Sequence, residues 1–346
     1  MTTAVIILNW NGRKMLEEFL PSLIAHTPRQ SARLIVADNG STDDSVEFLR
    51  RQYPQVELIL FPENYGFAEG YNRAIAQTEC DCVVLLNSDV EVSEGWLDAP
   101  LALLQERSDV AAVQPKIRAF REKHAFEYAG AAGGYVDRWG YPFCRGRIFD
   151  TVETDTGQYD DIAEVFWASG AALFIRRQVY MAVGGLDPRF FAHQEEIDLC
   201  WRLHQMGKRI FCFPESYVYH VGGGTLPKSN PRKTFLNFRN NLTMLWKNLP
   251  EDELKHVMRV RWFLDYLAAF QALIQKRNWG EFKAILSARR AFKKWRHEFE
   301  RLPSHLEKND GHRENLPSCT HDGRKEYSLL WQYYVKGHKL FETLPE

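Results

Sequence analysis

The chain opens with an alternation of short apolar runs and longer amphipathic stretches. Val5-Ile6-Ile7-Leu8, Leu34-Ile35-Val36-Ala37 and Val83-Val84-Leu85-Leu86 are uninterrupted aliphatic blocks, the pattern of strands buried on both faces. Between them apolar residues recur at helical spacing. The pattern predicts strands over 4–9, 33–37, 56–61, 82–86 and 110–114, separated by helices over 13–25, 43–52, 67–77 and 94–107. Such alternation builds βαβ units, hence an α/β fold around a mostly parallel sheet.

The rhythm breaks between 116 and 165, where glycines lie among aromatic and charged residues and the sequence suits long loops and edge hairpins over a cleft. Ala168 to Ile175 reads as a further buried strand, and Arg177 to Val183 as a helix stopped by Gly184-Gly185. A helix over 195–206 ends at Gly207, a strand over 209–213 follows, and the sheet continues to about 221. Beyond Gly222-Gly223-Gly224 come three long amphipathic helices, over 232–248, 251–276 and 279–301, and a polar tail. Two regions are expected: a sheet-based domain over 1–224 and a helical, partly basic extension over 225–346.

Composition narrows the class. With 346 residues, 45% hydrophobic and 26% charged, the chain has the makeup of a globular protein with a sizeable core. Its 44 basic and 45 acidic side chains nearly cancel, so no whole-chain field favours nucleic acid. The six cysteines are scattered without a paired CxxC, which argues against a structural zinc site and for a reducing, cytoplasmic setting. No basic-then-apolar leader opens the chain. The apolar window from Trp262 to Ile274 contains Asp265 and Gln271 and falls short of the roughly 18 to 20 residues of a membrane span.

Polar clusters follow the apolar runs, where the carboxyl ends of parallel strands form a ligand crevice. Asp38, ahead of Asn39-Gly40-Ser41-Thr42, is either an Asx turn with a helix cap or a carboxylate that accepts from a pyrimidine N–H or a ribose hydroxyl. Asn9 and Asn11 carry the same two readings. In Glu63 to Asn72, which includes Asn64, Gly66 and Asn72, a glycine-bearing turn opens a helix whose N–H groups can meet a phosphate or sugar. Asn87-Ser88-Asp89 leaves a buried strand, and Asp89 can supply one carboxylate to a divalent cation that neutralises a diphosphate. Glu195 and Glu196 open a helix, as first-turn charge favourable to the dipole or as a general base that Phe190, Phe191 and Trp201 would desolvate. Asp198 and Arg202 read as an i,i+4 ion pair, and His220 as a packed histidine or a metal ligand.

Together, V-I-I-L-N-W-N-G, V-A-D-N-G-S-T-D-D-S, E-N-Y-G-F-A-E-G-Y-N, L-L-N-S-D-V-E-V, S-G-A-A-L-F-I-R-R, G-G-L-D-P-R-F-F, E-E-I-D-L-C-W-R and H-V-G-G-G resemble the family 2 glycosyltransferases of GT-A fold, particularly rhamnosyltransferase-like members. The resemblance spans about residues 3 to 225. It implies that Asn9, Asp38 and Asn64 bind a nucleotide sugar and that Asp89 holds Mg²⁺ or Mn²⁺, with Asn87 in place of the first Asp of the family's DxD motif. Glu196 falls on the base position, as Glu for Asp, with Glu195 its rival, and His220 falls on a histidine that completes the metal or diphosphate site. The implied reaction is inverting transfer of a sugar from a nucleoside diphosphate donor, such as dTDP-rhamnose or a UDP-sugar, to a glycan or lipid-linked acceptor. Rival readings are an inactive nucleotide-sugar-binding protein and a nucleotidyltransferase. Outside the matched region, Lys255 to Arg301 holds 12 Lys or Arg against 4 Asp or Glu, interleaved with Trp262, Phe263, Phe292 and Trp295. That face either packs with its charges in solvent or touches the inner membrane surface.

Overall fold

Residues 1–222, 230–274, 277–301 and 323–345 are described by a computed structural model. Gly223, Gly224, Cys319 and the boundary expected at 224 lie outside them. In chain order the elements are β1 (Thr3–Asn9), α1 (Arg13–His26), β2 (Arg33–Asn39), α2 (Ser45–Gln52), β3 (Glu57–Phe61), α3 (Gly66–Ala76), β4 (Cys82–Leu86), β5 (Val90–Val92), α4 (Asp98–Glu106) and β6 (Val110–Ala119). Four short strands follow: β7 (Gly134–Val136), β8 (Pro142–Cys144), β9 (Arg147–Ile148) and β10 (Thr151–Val152). Then come β11 (Ala163–Glu164), β12 (Ala172–Arg176), α5 (Arg177–Ala182), α6 (Glu195–Gln205) and β13 (Arg209–His220). Helices α7 (Pro231–Asn248), α8 (Glu251–Ile274) and α9 (Trp279–Trp295) succeed them.

The main sheet runs β11-β13-β6-β12-β4-β1-β2-β3, with β5 pairing to β13. Strands β4, β1, β2 and β3 are parallel neighbours. Strand β12 is antiparallel to both β4 and β6, so β6, and β13 parallel to it, run in the direction of β1. The sheet is thus mostly parallel in direction, with β5, β11 and β12 opposed. Its apolar runs bury both faces, as their unbroken composition requires. Ala4, Ile6, Val83 and Leu85 enter one core and Val5, Ile7, Val84 and Leu86 the other, and burying each larger side chain contributes roughly 1.5 to 3 kcal/mol before entropy is counted.

Three features depart from the sequence pattern. The expected strand over 168–175 begins only at Ala172, and the residues before it form a turn along the cleft. Strand β13 extends well beyond 213, through Pro214 and a register shift between Phe213 and Tyr217, where the proline has no N–H for the ladder. The hairpins expected in the irregular stretch are present but form a separate antiparallel sheet, β10-β9-β8-β7, rather than an edge of the main one.

Buried polar contacts bind the C-terminal helices to the sheet domain. Lys247 Nζ donates to Asp187 Oδ2 at 2.7 Å and Asp198 Oδ2 at 2.9 Å, and Asn248 Nδ2 donates to Asp198 Oδ1 at 2.8 Å. Asp198 also receives Arg202 Nε at 2.9 Å, the i,i+4 pair read from the sequence. In α8, buried Asp265 is held by Arg261 and by Arg289 of α9. Among the described residues no helix is long and apolar enough to cross a membrane.

Candidate active site

Asn9 and Asp38 stand side by side because β1 and β2 pair in parallel register. Asn9 Nδ2 donates to Asp38 Oδ2 at 2.9 Å and to Ser41 Oγ at 3.2 Å, while Ser41 N donates to Asp38 Oδ1 at 2.9 Å. Asp38 therefore does form the Asx-type turn, and its carboxylate keeps lone pairs to spare. A Cβ at Gly12 would lie 2.3 Å from Asn9 Oδ1, so only glycine lets the next helix start this close. Asn11, at φ 51°, receives Thr42 N at 2.7 Å on its Oδ1 and ties this loop to the next. Asn39 Nδ2 donates to Asn64 Oδ1 at 2.9 Å, and Gly66 N donates to the same oxygen at 2.8 Å. Asn11, Asn64 and Gly66 line one cleft, with buried Asn9 and Asp38 behind them.

Asn72 is placed otherwise. Its Nδ2 donates to Leu186 O at 2.7 Å, and its Oδ1 receives Leu186 N at 3.0 Å and the Tyr180 hydroxyl at 2.5 Å. The whole amide is committed to clamping the segment after α5, which corrects the expectation that it meets a ligand.

Asn87 and Asp89 occupy the turn between β4 and β5. Because β5 pairs antiparallel with β13, Val90 faces His220 and Asp89 becomes the histidine's neighbour. His220 Nε2 is 3.2 Å from Asp89 Oδ1 and 3.3 Å from Asn87 Nδ2, and its Nδ1 is 3.6 Å from Glu127 Oε1. Burial works against an imidazolium here, but Asp89 and Glu127 outweigh it and raise the pKa to about 10. Burial likewise opposes the Asp89 charge, and the histidine contact overcomes it and lowers that pKa. Gly222, at φ +65°, passes so near Glu127 that a Cβ would lie 2.5 Å from its Oε1.

Without metal the two form a carboxylate–imidazolium pair; a divalent ion would have to displace the Nε2 proton, and the two atoms then lie near the spacing of about 3 Å between adjacent ligands of an octahedral Mg²⁺ or Mn²⁺. No group of three or more acidic, His or Cys side chains among the described residues could hold a metal alone. The donor set is one that leaves remaining positions to phosphate oxygens and water.

Glu195 and Glu196 begin α6 after an unusual approach. Phe191, His193 and Gln194 have φ of 68°, 71° and 75°, and non-glycine residues in this region cost of order 1 to 3 kcal/mol each. Asn240 of α7 holds the loop: its Nδ2 lies 2.9 Å from Phe190 O, 2.8 Å from Ala192 O and 2.8 Å from His193 O. Asn241 Nδ2 adds a bond to Gln194 Oε1 at 3.2 Å. Each glutamate keeps a buried Oε2 without a partner. Burial and then the charge of Glu196 push the Glu195 pKa well above its ordinary value. Burial also raises that of Glu196, against backbone N–H groups of the helix start that favour its carboxylate. The two carboxyls therefore titrate as one pair, shifted upward by burial and by their mutual repulsion. Of the three aromatic residues expected to desolvate the pair, Phe190 packs on Trp295 and Phe299 and Trp201 on Phe166, leaving Phe191 at the cleft.

Both glutamates, Asn87, Asp89 and His220 line the same cleft as Asn11, Asn64 and Gly66, a space of about 2270 Å³. That is room for two substrates rather than one small molecule.

A family model described as Glycosyl transferase family 2 matches residues 4–157. N-acetylglucosaminyl-diphospho-decaprenol L-rhamnosyltransferase of Mycobacterium tuberculosis is 30% identical over 234 residues, which cover 62% of this chain and 75% of the relative. The chain belongs to the family 2 glycosyltransferases. O-antigen biosynthesis protein RfbC of Myxococcus xanthus aligns 60% of this glycosyltransferase with 16% of its own length at 26% identity. The crystal structure of GalNAc-T7 with UDP, GalNAc and Mn²⁺ has a TM-score of 0.57 at 16% identity, over 85% of this chain and 56% of that one. S. aureus TarS 1-349 in complex with UDP-GlcNAc has 0.55 at 15%, over 83% and 79%. These likenesses are of fold, and they bear out the GT-A architecture.

Three contributors to the glycosyltransferase site were not read from the sequence. Glu127 lies in the irregular stretch, and Asn240 and Asn241 sit inside an amphipathic helix. The one signal available was the adjacent amide pair Asn240-Asn241 within an amphipathic helix, and it names no function.

Proposed function

We propose that this glycosyltransferase is metal-dependent and inverting, and transfers a sugar from a nucleoside diphosphate donor, dTDP-rhamnose or a UDP-sugar, to a hydroxyl of a cell-surface glycan or lipid-linked acceptor. One observation carries the reading: the Asp89–His220 pair and the Glu195–Glu196 pair open into a single cleft. Asp89 Oδ1 and His220 Nε2 would hold Mg²⁺ or Mn²⁺, which when bound neutralises charge on the leaving diphosphate. Asn11, Asn64 and the backbone at Gly66 would seat the donor, with Asn9 and Asp38 shaping the pocket for its base. Glu196, which falls on the family's base position, takes the acceptor proton as the acceptor oxygen bonds to the anomeric carbon. The carbon–phosphate oxygen bond breaks on the opposite face.

The mycobacterial relative, an L-rhamnosyltransferase named for an N-acetylglucosaminyl-diphospho-decaprenol acceptor, supports a rhamnosyl donor and a lipid-linked acceptor. The test is a panel of dTDP-, UDP- and GDP-sugars with Mn²⁺ or Mg²⁺, read by thermal stabilisation and by nucleoside diphosphate release. One donor is expected to stabilise the protein and to give product of inverted anomeric configuration by NMR. Pyrophosphate release would replace the proposal with nucleotidyl transfer, and binding without turnover on any acceptor would replace it with a binding protein.

A further inference from the structure

Helix α8 carries two apolar patterns. Leu254, Val257, Ala269 and Ala272, with the Arg261–Asp265 pair, form its buried face. Opposite them Phe263, Leu267, Phe270 and Ile274 repeat at i, i+4, i+7 and i+11, a second stripe about 17 Å long. Each is between 55% and 69% exposed, and neighbouring Trp262 is 56% exposed. From Trp262 to Ile274 the only charged residue is Asp265, which is buried. Helices facing water carry polar residues there, and an exposed apolar stripe marks a surface that something covers.

The surrounding charge says what. Among the described residues, every exposed charge from Lys255 to Arg277, namely Lys255, Arg259 and Arg277, is a cation, while the exposed acids Glu251 and Asp252 lie in the first turn of α8, away from the stripe. Asp265 in that span is buried, and α9, whose Arg289 pairs with it, packs on the face of α8 opposite the stripe. A second copy laid on this face about a twofold axis would bring two cationic rims together, which like-charge repulsion opposes. Phe292 and Trp295 are not part of the face: Phe292 is buried and Trp295 packs on Phe190 and Phe299.

We propose that the Phe263–Ile274 face of α8 seats on an anionic lipid bilayer, with the helix lying in the interface. The four apolar side chains would enter the headgroup–acyl boundary while the cations meet anionic headgroups. The same four line the cleft that holds Glu196, and so do Trp331, Tyr334 and Val335, each more than half exposed. An acceptor anchored by a hydrocarbon chain would thus present its hydroxyl from the membrane side. That last consequence rests on the proposed sugar transfer, whereas the docking does not.

Flotation of the full chain with phosphatidylcholine–phosphatidylglycerol vesicles, against phosphatidylcholine alone, tests it without donor or acceptor. Binding is expected to be at least about tenfold tighter to the anionic vesicles, because several cations act together. Leu267→Glu with Phe270→Glu should lower it about tenfold or more while near-ultraviolet circular dichroism stays native. Should that pair disturb folding, Phe263→Ser with Ile274→Ser gives the same reading. No vesicle binding, unchanged binding in a folded variant, or a dimer by light scattering that the variants dissolve would each overturn the proposal. Because no catalysis is measured, such a failure leaves the sugar-transfer reading intact.

Discussion

His220 Nε2 stands 3.2 Å from Asp89 Oδ1 across 131 residues of sequence because Val90 and His220 are partners in the β5–β13 ladder. The strand pairing, rather than any local motif, brings these two side chains together. Asp89→Ala is expected to abolish stabilisation by a donor and divalent metal and to lower kcat at least about a hundredfold, the scale of losing one electrostatic contributor. Unaltered turnover in Asp89→Ala and His220→Ala would remove both from the site.

Glu127 Oε1 lies 3.6 Å from the other ring nitrogen of that histidine, where a small closure would let it accept from Nδ1–H and orient the ring if Nε2 ligates the proposed metal. Glu127→Gln should weaken Mn²⁺ binding about ten- to a hundredfold by electron paramagnetic titration. Turnover should recover at high metal. A loss of kcat that metal does not restore would point to another role.

A base works only when ionised, and burial raises the Glu196 pKa. The acid limb of kcat/KM is therefore expected above the ordinary glutamate range of about 4.3, falling as pH drops through it. Glu196→Gln should lower kcat about a hundred- to ten-thousandfold and abolish that limb. An acid limb that persists in the variant would assign it elsewhere.

Glu195 gives a stability prediction of opposite sign to the usual carboxylate. Its folded pKa lies well above the unfolded one, so between the two values the folded state binds more protons and stability falls as pH rises. Glu195→Gln removes that penalty. Its thermal midpoint should exceed wild type at pH 8 and converge with it at pH 4; a lower midpoint at pH 8 would contradict the protonated reading.

Asn240→Asp keeps the shape of the amide but turns a donor toward Phe190 O, Ala192 O and His193 O into an acceptor. Release of the strained 191–194 loop should lower kcat and destabilise the fold by about 1 to 3 kcal/mol, measured in urea. Stability loss with unchanged kcat would show that the loop geometry does not matter to the reaction.

The order of elements was legible because strand and helix periodicity are local, and so were the strand-end clusters at Asn9, Asp38 and Asp89, delivered by runs too apolar to be anything but buried. Strand β5 was missed because Val90–Val92 is too short to show a period. Asn72 was misread because its helix opens at the cleft while its side chain turns to Leu186, a partner 114 residues away.

By itself, then, the sequence determined the α/β class, the parallel core and the carboxylates on offer, since each depends on neighbours along the chain. Only the tertiary structure decided which carboxylate meets His220, how deeply the two glutamates are buried and which face of α8 stays open. Register, burial and helix packing depend on contacts between distant segments, and no local pattern records them.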